Sequence, residues 1–104
     1  MKRYMVQITN KALTDMEEIY NYIADHLQAP EAAMKQYDRI ANSIETLDTF
    51  PERVMLMETD EDLELGLRKM PVDNFSVFFL IREEKVIVTN VLYSASDIIK
   101  RLRD

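Results

Sequence analysis

The 104-residue chain has no cysteine and no tryptophan, one glycine and three prolines. Without cysteine it can form no disulfide, thiolate metal site or thiol nucleophile; a reducing compartment suits it, and the cytoplasm is the expected location. The one glycine, Gly66, argues against P-loop and dinucleotide folds, whose loops need several glycines to bring backbone close to phosphate. No cofactor is expected. Long apolar runs are missing too: the opening MKRYMVQIT is too short in its apolar part for a signal segment or a membrane span, so neither export nor membrane contact is expected.

Positive charge is scarce. Thirteen basic residues face 19 acidic ones, for a net charge of −6. Residues 1–50 carry 5 basic and 8 acidic side chains and residues 51–104 carry 8 and 11, so neither half is a basic arm. Cations displacing phosphate counterions drive general nucleic-acid binding, and this balance argues against it.

What is present is an ordinary globular balance, 47% apolar and 31% charged, in a chain of single-domain size. Residues 1–104 read as one domain, burying roughly 65% of the unfolded surface.

Tyr4, Val6 and Ile8 alternate with Met5, Gln7 and Thr9, the period of a half-buried strand. From Asn10 the period lengthens: Leu13, Met16, Ile19, Tyr20, Ile23, Ala24 and Leu27 predict an amphipathic helix of about 27 Å, with Thr9 or Asn10 as its cap. Gln28-Ala29-Pro30 breaks the pattern, and Pro30 suits the first turn of a second helix. That helix carries Ala33, Tyr37, Ile40, Ala41, Ile44 and Leu47 and ends at Phe50-Pro51. The two make a helical hairpin.

Residues 52–64 read as a loop with a short strand in its apolar part. Glu58, Asp60, Glu61, Asp62 and Glu64 put five acids into seven positions, and mutual repulsion keeps such a run solvated. A metal site lacks the glycine of a calcium loop, so no bound metal is expected; a partner-facing surface is the third reading. Leu65 and Leu67 open a strand expected to end at Met70-Pro71, and Asp73-Asn74 supplies a turn. FSVFFLIR (75–82) and VIVTNVLY (86–93) are apolar and β-branched strands that should pair as an antiparallel hairpin across Glu83-Glu84-Lys85. Ile98, Ile99 and Leu102 predict a short C-terminal helix. The expected class is α+β: an N-terminal strand, a long two-helix hairpin, a three-stranded antiparallel C-terminal sheet and a short C-terminal helix.

Several pieces occur in a familiar order: Thr9, Ala12 and Asp15; Ile19-Tyr20-Asn21-Tyr22-Ile23-Ala24; Phe50-Pro51-Glu52-Arg53; Leu67 through Phe75; and Val91-Leu92-Tyr93. In these pieces the chain resembles the RelE/ParE toxins of type II toxin–antitoxin systems, of the ParE-like, plasmid-stabilisation kind. The resemblance covers nearly the whole sequence. It implies a growth inhibitor held inactive by a cognate antitoxin. RelE-like members cleave mRNA on the ribosome, whereas ParE-like members inhibit DNA gyrase without cutting chemistry of their own. A third alternative is a degenerate, non-toxic module that only binds an antitoxin. Direct DNA binding without the antitoxin is not expected.

Metal-free RNA cleavage needs a base, an acid and cations around the reacting phosphate. The candidates for that chemistry are Arg68, Tyr93 and Arg82. Arg68 matches an arginine of the family's mRNA-cleaving members, with an ion pair to the acidic loop as the plainer reading. Tyr93 stands where relatives carry histidine or tyrosine, with an edge-of-core tyrosine as its alternative. The resemblance implies that Arg68 and Tyr93 share one surface. Lys69 should point to the opposite side. The family pattern places arginine just before the aspartate that is Asp97 here, and this chain has Ser96. Loss of that cation favours the ParE-like reading. His26 reads as a surface residue near a helix end, and Lys100, Arg101 and Arg103 as a solvated tail. The expected docking surfaces for an antitoxin are the edge of the first strand and the face of the hairpin.

Overall fold

A computed structural model describes residues 2–57 and 65–94. The first strand, β1 (Met5–Ile8), passes into helix α1 (Asn10–Asn21) through Thr9. Thr9 is the cap: its hydroxyl accepts the N–H of Ala12 at 3.1 Å and reaches the Val88 carbonyl at 3.0 Å, fastening the start of the helix to the sheet.

The first helix is not continuous to Leu27. At Tyr22–His26 it widens into a π-turn, in which the Leu27 N–H reaches back to the Tyr22 carbonyl at 3.2 Å. A wider turn rotates the positions after it out of the 3.6-residue stripe, which is why Leu27 is exposed despite its apolar spacing. Gln28, in the left-handed region at φ 51°, turns the chain into helix α2 (Pro30–Glu45). That helix carries proline in its first turn as expected, but it ends earlier than the periodicity indicates. A 3-10 turn at Thr46–Asp48 buries Leu47, and a second follows at Pro51–Arg53.

Three further strands follow, β2 (Arg68–Val72), β3 (Phe75–Arg82) and β4 (Lys85–Tyr93). They pair antiparallel as expected, and β1 joins them parallel to β4, so the sheet has four strands in the order β1-β4-β3-β2. The strand β2 runs through Pro71 to Val72 instead of ending at the proline, because β2 lies at the sheet edge, where a missing N–H costs no ladder bond. Both hairpin turns take two residues, Asp73-Asn74 and Glu83-Glu84, and Asp73 and Glu83 have positive φ. Asp73 is also tied to α2, its carboxylate gripped by Arg39 at 2.7 Å twice and by Gln36 at 3.1 Å.

Alternation on β3 builds two cores. Val77 and Phe79 face the helices, meeting Met16, Ile40, Ile44 and Leu47. Phe78 faces the other side with Leu67 and Leu92. A bulge interrupts the β3–β4 ladder: Phe78 opposes Asn90 and Phe79 opposes Val88, which leaves Thr89 as the extra residue. Among the described residues, the short strand expected within 52–64 is reduced to a single bridge, Leu56 with Arg68. The acidic run at 58–64 and the expected C-terminal helix, with Ser96, Asp97, Lys100, Arg101 and Arg103, lie outside the described residues.

Candidate functional site

A charge on an apolar helical face marks the site. Asp15 falls in line with Ala12, Met16 and Ile19 on α1, a position that buries it to 2% exposure. A buried carboxylate must be partnered. One oxygen accepts the backbone N–H of Val91 on β4 at 2.9 Å, and the other is ion-paired with Lys11 one turn earlier. Thus α1 is bonded directly to the far half of β4, beyond the point where β1 stops.

Beside this contact the hairpin and the end of the sheet enclose a groove of about 730 Å³. Ile19, Tyr22 and Ile23 form its helical wall, and Phe75, Val91 and Tyr93 its sheet wall. The Phe75 and Tyr93 rings meet edge to face at 5.8 Å, and Tyr93 stays half exposed at the rim. His26 stacks on Tyr22 at 5.3 Å in the π-turn, also on the surface. Among the lining residues the charged ones are Asp15 and Glu18, both acidic.

The three residues selected for RNA cleavage do not converge. Arg68 pairs across β2 and β3 with Phe79, and Tyr93 pairs with Phe75 across β3 and β4. Both lie on the helix-facing side of the sheet, but strand spacing and rise put them about 16 Å apart. The Arg68 guanidinium donates to the carbonyls of Glu52 at 3.2 Å and Val54 at 2.6 Å, holding the chain after α2 against β2. Arg82 sits at the opposite end of β3 and on its other face; its guanidinium serves the carbonyls of Leu65 and Ile81. Lys69, opposite Phe78, faces away from Arg68 as the alternation requires.

A second polar cluster was not read from the sequence. The buried Tyr4 hydroxyl donates to the Glu52 carboxylate, and Lys2 lies 5.0 Å from the Tyr4 ring centre. The hydrogen bond from Tyr4, then one from its own backbone N–H, hold Glu52 below the usual carboxylate range, and Lys2 and Arg68 add to the effect. The same bond, with burial, raises Tyr4. Both residues fall within segments already noted, but partners 48 positions apart leave no local pattern. No three His, Asp or Glu side chains among the described residues are grouped to hold a metal ion, and no described helix is long and apolar enough to cross a membrane.

Residues 6–98 match the family model of the ParE toxin of the type II toxin–antitoxin system parDE. No curated protein matches the chain. Among solved structures, the fold is similar to a chain of the chromosomal ParDE toxin–antitoxin system from P. aeruginosa, with a TM-score of 0.73, 20% identity, and 88% of this chain and 96% of that one covered. It is also similar to a chain of the toxin–antitoxin complex RelBE2 from Mycobacterium tuberculosis, at TM-score 0.62, 15% identity and coverage of 88% and 98%. A chain of the archaeal RelE–RelB complex from Pyrococcus horikoshii OT3 aligns at TM-score 0.61 and 15% identity, with 89% and 97% covered. With most of its length matched by the family model, and with the expected α+β architecture in place, the chain belongs to the ParE toxin family of type II toxin–antitoxin systems.

Proposed function

We propose that this toxin arrests growth by binding DNA gyrase, without cutting chemistry of its own, and that a cognate antitoxin neutralises it. The observation that carries this reading is the dispersal of Arg68, Tyr93 and Arg82: one guanidinium is committed to backbone carbonyls 16 Å or so from the tyrosine, and the other lies on the opposite face of the sheet. A phosphoryl-transfer site needs its acid, base and cations around a single phosphate. The toxin–antitoxin complexes that share the fold support an antitoxin partner. Purified chain should inhibit gyrase supercoiling in proportion to its concentration; full supercoiling at saturating toxin would remove the gyrase reading.

A second reading, ribosome-dependent mRNA cleavage, is favoured by the cluster in which Glu52 accepts from Tyr4 near Lys2 and Arg68. That cluster contains a carboxylate, a phenol and two cations. Ribosome-bound mRNA left intact by toxin that still arrests growth would exclude it. Expression of the chain alone without growth arrest would instead favour a non-toxic antitoxin-binding module.

A further inference from the structure

A second cavity opens along the seam of the helical hairpin. On α1, Glu17, Tyr20 and Asn21 follow one another at spacings of three and four residues, and on α2 Met34 and Tyr37 are three apart, so each set shares a helical face. The two sets meet around a space of about 430 Å³, and none of the five residues lines the groove between the hairpin and the sheet. The Tyr20 and Tyr37 rings stand 6.3 Å apart at 88°, two walls of a corner. Met34 is half exposed beside them. Glu17 is exposed and takes no part in the ion pairs formed among the described residues. Asn21 adds a carboxamide oxygen. Between residues 10 and 45 the chain carries seven acidic and three basic side chains, and two of those bases are spent, Lys11 on Asp15 and Arg39 on Asp73. The seam therefore lies in a negative field.

We propose that this seam cavity receives an arginine side chain of the toxin's target, so that the hairpin docks on gyrase through a cation held between Tyr20, Tyr37 and Glu17. The inference rests on the gyrase reading above. Aromatic faces attract a cation, and a carboxylate beside them neutralises it. A guanidinium suits the corner better than an ammonium, because a planar group lies flat on a ring while its N–H fork reaches Glu17 and Asn21. An apolar side chain seated here would cover the Glu17 carboxylate without a partner, and an acidic one would be repelled. The acidic hairpin also complements the kind of surface that an enzyme handling DNA must present, since arginine and lysine are what hold phosphates.

The test measures binding of the full-length toxin to immobilised gyrase, and to the purified protein encoded by the adjacent reading frame. Glu17→Lys should weaken gyrase binding about tenfold or more without moving the unfolding midpoint, since Glu17 is exposed. Glu45→Lys changes the net charge equally but lies outside the cavity, and should weaken binding less than about threefold. Tyr37→Leu, which keeps an apolar side chain but removes the ring, should weaken it severalfold; if that variant fails to fold, the comparison of Glu17→Lys with Glu45→Lys decides. Gyrase binding left unchanged by Glu17→Lys overturns the seam contact and leaves the gyrase reading standing. Equal losses in the two lysine variants would reduce the effect to general charge attraction and overturn the proposal. Failure of the unaltered toxin to bind gyrase overturns both readings. If Glu17→Lys weakens only the complex with the adjacent-frame protein, the cavity belongs to that partner and the proposal falls.

Discussion

The Asp15 carboxylate on α1 accepts the Val91 N–H of β4 at 2.9 Å in a site where Asp15 is 2% exposed. This one bond closes the sheet where β1 has ended and fixes the depth at which the hairpin sits. Removing the carboxylate leaves a buried N–H without its acceptor. Asp15→Ala should cost about 2–4 kcal/mol, the combined loss of a charged hydrogen bond and an unpaired donor. Asp15→Asn keeps an acceptor and should cost less than half as much. Urea unfolding of the two variants measures the difference; equal losses would mean that packing, not the hydrogen bond, sets the contribution of Asp15.

The Tyr4–Glu52 bond gives the fold a pH dependence at both ends of the scale. Glu52 is depressed in the folded chain, so its contribution is present above its unfolded value of about 4.3 and fades as pH falls through the lower folded value. Tyr4 is raised, so its contribution is present below about 10 and fades as pH rises through the higher folded value. Tyr4→Phe should bring Glu52 back toward the ordinary carboxylate range and flatten both limbs of the stability profile. Carbon-detected titration of the Glu52 carboxyl, in wild type and Tyr4→Phe, provides the comparison; an unmoved Glu52 would rule out the hydrogen bond as the cause.

Local signals in the sequence and the structure agree where a single short-range rule decides. Thr9 caps α1, Pro30 opens α2, and the runs at 75–82 and 86–93 form the central hairpin, because caps, proline and β-branched alternation act within a few residues. What was not legible depends on distant partners. That β1 pairs parallel with β4 is a choice among open edges that its own residues do not encode. That β2 can run through Pro71 depends on its place at the edge. Arg68 could be identified as important but not as a donor to Glu52 and Val54, since no local pattern announces a backbone carbonyl arriving from the end of another segment. Asp15 did leave a trace, as the one acid in the apolar line Ala12, Met16, Ile19; its partner on β4 did not.

Gly66 precedes β2 with φ at 74°, a conformation disfavoured for every residue with a side chain. A Cβ there would stand 3.5 Å from the Arg82 guanidinium, an ordinary contact, so backbone strain alone should set the cost of substitution. Gly66→Ala is expected to destabilise by about 1–2 kcal/mol. Gly66→Asn should cost less, because asparagine visits this region more readily. Thermal unfolding of both variants tests the order; alanine costing no more than asparagine would refute it.

Two arginines separate structural from catalytic use. The Arg68 guanidinium serves two carbonyls from the segment after α2, and an ammonium on a flexible stem cannot reproduce that geometry. Arg68→Lys should therefore destabilise by about 1–2 kcal/mol. Arg82 is exposed, and Arg82→Ala should cost about 1 kcal/mol or less. If the toxin acts by binding gyrase, both variants should still arrest growth at temperatures where they remain folded, since both guanidiniums are spent on backbone carbonyls of the chain itself. Induction in growing bacteria, with folded protein quantified alongside, reads the outcome. A folded Arg68→Lys that no longer arrests growth, and leaves ribosome-bound mRNA uncut where the unaltered chain cleaves it, would transfer Arg68 from the scaffold to the chemistry and make the nuclease reading the stronger one.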